Sequence, residues 1–182
     1  STDLGGGRTR LTSAQDAARA FVEARVEDRI GLLAFARYPD LVCPLTRDHD
    51  ALLPLLAGLS TVRSDGPEDA TGIGAAVARA AQALGEDPRR TRVVLLLTDG
   101  EENVSRRFTW RDVADRIAHQ NQNYQWDFLF LGAGPDAIAT AANLNIAAGN
   151  VARYQADSAG QYAASKGASR KIQAAYSVKS GL

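Results

Sequence analysis

Two short stretches of this 182-residue chain place oxygen-bearing side chains where oxygen chemistry could be done. In "VVLLLTDGEEN" (93–103), Thr98, Asp99 and Gly100 close the most apolar run of the sequence. An aspartate there suits a core poorly, and Gly100 lets the backbone turn sharply. In "EDATGIGAAV" (68–77), Thr71 stands just ahead of a helical pattern, between Ala70 and Gly72 and close to Gly74. A hydroxyl and a carboxylate brought to one edge are hard donors of the kind Mg²⁺ takes, since that ion keeps several waters and needs few protein ligands. The same residues serve structure equally well, with Thr71 capping its helix and Asp99 capping a turn. Residue type and spacing leave both readings open.

A second pattern invites a different chemistry. "WDFLFLGAGPDAIATAA" (126–142) reads as a buried strand, then Gly132-x-Gly134-x-x-Ala137, then a helix opened by Pro135. That resembles the glycine fingerprint which seats a dinucleotide pyrophosphate on a helix N-terminus. Its position argues against the role, because only about fifty residues follow, too few for a full dinucleotide-binding half. Asp136 would also put negative charge where the pyrophosphate must sit. A tight strand-to-helix turn that needs small residues is the better reading. Cys43 beside Pro44 reads as a buried small hydrophobe, and His49 and His119 as surface residues without a nucleophile to serve. Arg89, Arg90 and Arg92, like Arg106 and Arg107, read as a solvated rim, and Tyr124 and Trp126 open a strand as core or rim packing. Glu101 and Glu102 are a carboxylate pair with no evident cleft.

The elements that must position these residues alternate along the chain. Residues 10–25 place Leu11, Ala14, Ala18, Phe21 and Val22 on one helical face, with Thr12 and Gln15 as a capping box. "RIGLLAFAR" (29–37) is a near-continuous apolar strand, "YPD" (38–40) a turn, and "LVCPLT" (41–46) a short strand that Pro44 sends to a sheet edge. "DALLPLLAGL" (50–59) is a helix, which Pro54 requires to begin near Asp50. "IGAAVARAAQAL" (73–84) turns Ile73, Val77, Ala80 and Leu84 inward. A strand to 98, a helix capped by Thr109, a strand at 126–131, a helix at 135–144, a short strand at 151–154 and a helix over about 158–176 complete the pattern. Buried strands separated by amphipathic helices predict a three-layer, doubly wound α/β fold. Strands 29–36, 93–98 and 126–131 should run parallel in one sheet, with 41–45 antiparallel at its edge. Ligands of such sheets bind beyond the carboxyl ends of the strands.

"DRIGLLAFARYPDLVCPLTRDHDALL", "DATGIGAAVARAAQAL" and "VVLLLTDGEEN" together resemble the von Willebrand factor type A family, in particular bacterial members of the aerotolerance-operon type. The later "WDFLFLGAGPDAIATAANLNIAAGN" is similar to another bacterial group of that family. The resemblance spans nearly the whole chain and implies one Rossmann-like domain over 1–182. It implies a metal-ion-dependent adhesion site holding Mg²⁺ or another divalent cation, with Thr71 and Asp99 as protein ligands. The family's Asp-x-Ser-x-Ser motif, on its first strand, has no counterpart here. "STDLGGGRTRL" resembles the segment immediately after that motif, so the chain is expected to begin just past the first strand, with the N-terminal part of the domain incomplete.

Two function classes emerge. The resemblance implies a non-enzymatic protein-interaction module, whose partner completes the ion's coordination with a carboxylate, and bacterial relatives of this type work beside AAA+ ATPases of the MoxR kind. The alternative is a nucleotide-binding or hydrolytic α/β enzyme using the same strand-end edge, against which stands the absence of a Walker Gly-x-x-x-x-Gly-Lys or a nucleophile–base pair. The formal net charge of zero gives no global attraction to nucleic acid or an anionic membrane. No apolar run approaches the ~20 residues of a membrane span. The single cysteine excludes an internal disulfide and leaves the compartment, cytoplasmic or periplasmic, open.

Overall fold

The computed structural model describes residues 9–61, 72–85, 92–98, 109–132 and 137–153. Helix α1 (Arg10–Glu23) starts at the expected residue, but its N-cap is Thr9, which accepts from the Thr12 amide at 3.1 Å. Gln15 therefore makes no capping box. Its Nε2 instead donates to the carbonyls of Leu56, Ala57 and Leu59, at the end of α2 (His49–Ala57). These are among the last carbonyls that a helix cannot bond itself. Asp48 caps α2, so Pro54 lies deeper in the helix than expected. The carbonyl its ring leaves unbonded belongs to Asp50, in an exposed turn where water can serve it.

Strands β1 (Ile30–Phe35) and β2 (Pro39–Thr46) form an antiparallel hairpin whose tip is Ala36–Tyr38, so Pro39 and Asp40 belong to the strand rather than to the turn. Strand β3 (Val93–Thr98) pairs in parallel with β4 (Asp127–Gly132) in unbroken register, and β4 pairs in parallel with β5 (Val151–Arg153). The antiparallel sense expected for residues 41–45 is found in β2, which pairs with β1 alone, so that both strands are edges of their sheet. One expectation fails. Strand 29–36 does not share a sheet with 93–98, because the described residues form a two-stranded sheet, β1–β2, and a three-stranded sheet, β3–β4–β5.

Both sheets pack against the same helices. On one side, α3 (Ile73–Leu84) brings Ile73 and Val77, and α4 (Trp110–Tyr124) brings Val113 and Ile117, against Val94, Leu96, Phe128 and Phe130. Leu144, just past α5 (Ala137–Asn143), joins this cluster, and Phe35 of β1 packs against it. On the opposite face, Ala14 and Phe21 of α1 meet Leu95, Leu97, Leu129 and Leu131, while Val22 meets Cys43, Leu52, Ile30 and Leu32. Alternation along β3 sends even positions to one layer and odd ones to the other. Strand β4 is buried nearly throughout, whereas β1 is half-buried along most of its length. Each fully buried Leu, Ile, Val or Phe contributes about 1.5–3 kcal/mol, so the cluster on β4 is the main source of stability.

Two polar assignments are corrected by this packing. Arg92 is buried rather than part of a solvated rim, its Nε donating to Leu84 O at 3.2 Å and its guanidinium 5.6 Å from the Trp126 ring centroid. It supplies a cationic donor to the C-terminus of α3, where the helix dipole favours one. His49 is half-buried, with Nε2 at 3.0 Å from Asp28 O, whereas His119 is exposed as expected. Cys43 is buried and free. Trp126 is wholly buried core, and Tyr124 ends α4 instead of opening a strand. The terminal helix expected near 158–176 lies outside the described residues.

Candidate functional site

Helix α3 fixes which strand ends share an edge. Its N-cap, Gly72, donates its backbone N–H to Ala36 O at 2.7 Å, directly after the end of β1. Its last turn receives Arg92, directly before the start of β3. Twelve helical residues span about 18 Å, and a six-residue strand about 20 Å. Strand β3 thus returns to the edge at which α3 began, and β1 and β3 end on the same side. Strand β4 ends there too, since Gly132 lies level with Thr98.

The approach at Gly72 is close enough to require glycine. A Cβ at this position would stand 2.7 Å from Arg37 O and 3.2 Å from Ala36 O. Its φ of −98° is open to any residue, so contact rather than conformation demands the bare backbone. Gly72, and with it the start of α3, is thereby held against the tip of the β1–β2 hairpin.

The start of α4 follows the chain from the same edge. Thr109 and Asp112 form a complete capping box: the Thr109 amide donates to Asp112 Oδ2 at 2.7 Å, and the Asp112 amide to Thr109 Oγ1 at 3.2 Å. The Thr109 backbone N–H, and after it the Thr109 hydroxyl, hold the Asp112 carboxyl below its ordinary range. This carboxylate is engaged in capping and is a poor candidate for a ligand. The Thr109 cap is the one expected from sequence.

Thr71 and Asp99, the two expected metal ligands, lie outside the described residues, as do Arg89, Arg90, Glu101, Glu102, Arg106, Arg107, Gly134 and Pro135. Their immediate neighbours, Gly72 and Thr98, are described. Gly72 adjoins the end of β1, and Thr98 ends β3 beside Gly132. Among the described residues, no group of three or more His, Cys, Asp or Glu is placed to hold a metal. Of the glycine fingerprint, Gly132 is a strand residue, paired with both Thr98 and Arg153.

Arg37 and Tyr38 were not singled out by sequence pattern. Tyr38 is 70% exposed at the hairpin tip, and Arg37 Nε is buried without a hydrogen-bond partner. The only local signal was the turn chemistry of the following proline. A separate cavity of about 160 Å³, lined by Ile117, Asn121, Phe128, Asn145, Ile146 and Asn150, opens toward the amino end of β4, away from this edge.

A family model described as von Willebrand factor type A domain matches residues 1–102. No functionally curated protein sequence matches the chain. Among solved structures, the conserved hypothetical protein BatB from Bacteroides thetaiotaomicron aligns over 92% of this chain and 90% of its own, with TM-score 0.69 and 16% identity. An aerotolerance-related membrane protein from Bacteroides fragilis covers the same shares at TM-score 0.69 and 18% identity. Proximal thread matrix protein 1 from the mussel byssus, solved with a zinc-occupied metal-ion-dependent adhesion site, matches 87% of this chain and 41% of its own, with TM-score 0.64 and 15% identity. At these identities the likeness concerns the fold alone.

Proposed function

Because the chain belongs to the von Willebrand factor type A family, we propose that it is a non-enzymatic protein-interaction module whose partner docks on the carboxyl edge of the strands through a divalent cation. One observation supports this reading: Gly72 and Thr98, the described neighbours of Thr71 and Asp99, lie at the carboxyl ends of β1 and β3, by the Gly72–Ala36 hydrogen bond and the Thr98–Gly132 register. Thr71 and Asp99 would hold the ion, Mg²⁺ being the cation their hard oxygens suit. When bound, the ion supplies an open coordination position for a partner carboxylate. The zinc-occupied adhesion site of the mussel byssus protein, a structure of like fold, supports this chemistry.

We further propose that the two sheets are parts of one three-layer domain, with room between β1 and β3 for an extended segment. The support is that α1 packs on both sheets from one side and α3 from the other. A strand carrying Asp-x-Ser-x-Ser would fit there and add its ligands to Thr71 and Asp99. Calorimetric titration tests both statements. The chain as given is expected to bind Mg²⁺ weakly, roughly in the millimolar range or worse. A version extended by an apolar strand with that motif is expected to bind more tightly and to melt higher in Mg²⁺, by mass action. Asp99→Ala in the extended version is expected to lose the metal response and keep its metal-free melting temperature. Equal Mg²⁺ affinity with and without Asp99 would remove the site from this edge.

A further inference from the structure

The hairpin tip Ala36–Tyr38 lies at the proposed docking edge, and among the described residues the side chains of Arg37 and Tyr38 make no hydrogen bond or ion pair. The tip is held in place. Phe35 pairs with Pro39 across its base, and Gly72 bonds to Ala36 O from behind. On this support Tyr38 is 70% exposed, although a tyrosine ring has enough apolar area to be buried wherever packing allows. Arg37 is half-buried; its Nε is shielded from water and lacks an acceptor, and the side chain forms no ion pair among the described residues. A desolvated guanidinium N–H without an acceptor is costly, and an anionic oxygen is the partner that repays it best.

The surroundings narrow the choice of anion. Asp40 is exposed two residues beyond Tyr38, so the tip as a whole carries no excess positive charge. Such a surface offers little field to a polyanion, and the chain's net charge of zero adds none. A single carboxylate beside an apolar side chain matches what is present: one guanidinium fork next to one exposed aromatic ring. Arginine and tyrosine are also the residue types that most often carry binding energy at protein interfaces.

We propose that Arg37 and Tyr38 read the partner at this edge: Arg37 donates to a carboxylate of an acidic peptide segment, and Tyr38 covers the apolar residue beside that carboxylate. The proposal rests on the docking edge argued above but needs no metal, which makes the two separable. The probe is an acetylated, amidated peptide of sequence Gly-Leu-Glu-Phe-Gly, titrated to millimolar concentration into isotope-labelled protein in EDTA, with its Glu-to-Gln counterpart and inorganic phosphate as comparisons.

The acidic peptide is expected to shift the backbone amides of Ala36, Arg37 and Tyr38, and the glutamine peptide to bind about ten- to a hundredfold more weakly, the difference a charge-assisted hydrogen bond makes. Arg37→Met is expected to lose the same factor. Tyr38→Ala, at an exposed position that leaves the fold intact, is expected to weaken binding several-fold. Gly149→Ala, where an added Cβ meets nothing within 4 Å, is expected to bind the peptide like wild type. No shift at the tip, equal binding of the two peptides, equal shifts from phosphate, or wild-type binding by Tyr38→Ala overturns the proposal. Metal-dependent binding that is lost in Asp99→Ala and untouched in Arg37→Met and Tyr38→Ala would overturn it while leaving the metal edge standing.

Discussion

Gly72→Ala tests the contact that holds the start of α3 against the hairpin tip. An alanine Cβ would lie 2.7 Å from Arg37 O, 0.7 Å inside the 3.4 Å of ordinary contact. The obstacle is backbone, so no flexible side chain can swing aside. Either the hairpin tip or the start of α3 must move, and the 2.7 Å bond from Gly72 N to Ala36 O is strained or broken. Overpacking of this kind costs about 1–3 kcal/mol, and a lost hydrogen bond about 0.5–1.5 kcal/mol. Alanine recovers about 0.4–1 kcal/mol by restricting the unfolded chain, because a φ of −98° suits it. The expected net loss is about 1–3 kcal/mol, or roughly 2–12 °C in melting temperature for a chain of this size. Gly149→Ala is the control, since a Cβ there meets nothing within 4 Å; its stability should stay within about 0.5 kcal/mol of wild type. Thermal and urea melts of the three proteins decide the matter. If Gly72→Ala melts at or above wild type, the tip yields freely and does not fix the start of α3.

Gln15→Ala strips three carbonyls at the end of α2 of a shared donor and is expected to cost about 1–2 kcal/mol in urea melts; an unchanged midpoint would mean that water replaces the amide without penalty. Trp126→Ala empties a wholly buried site between Phe128 and Arg92 and is expected to cost about 3–5 kcal/mol; a loss under about 1 kcal/mol would contradict the packing. The lowered pKa of Asp112 means that its stabilisation is complete above the ordinary aspartate range, near pH ~3.9, and fades as pH falls through that range toward the lower folded value. Asp112→Asn should therefore flatten the acid limb of stability against pH, and an identical acid limb in the variant would refute the assignment.

Signals that are local in the chain were readable from sequence. Thr109 announced the start of α4 through its hydroxyl and the acid three residues on, and the apolar runs of β3 and β4 marked parallel strands. Pro44 placed β2 at an edge. Long reach was hidden. Gln15 serves carbonyls more than forty residues away, and nothing near it in sequence distinguishes that from a capping box. Arg92 belongs to a charged cluster by sequence, yet the Leu84 carbonyl and the Trp126 ring draw it inward. The split between the sheets was also unreadable, since an apolar run records how much surface a strand must bury and says nothing about which strand lies alongside. At the candidate site, the pinning of Gly72 depends on a backbone approach from the hairpin, which residue type alone does not disclose.

The pairing pattern also sets an order of assembly. Strands β1 and β2 close over a three-residue tip, so their ladder can zip within microseconds of collapse and needs no other element. Val93 meets Asp127 only after the chain has wound through the whole of α4, and that contact must first meet the loop-closure cost of the crossover. Refolding should accordingly show early amide protection in residues 30–46 and later protection in 93–98 and 127–132. Substitutions in the hairpin would then change the folding rate, while those in β4, placed late, would mainly change the rate at which the native state comes apart.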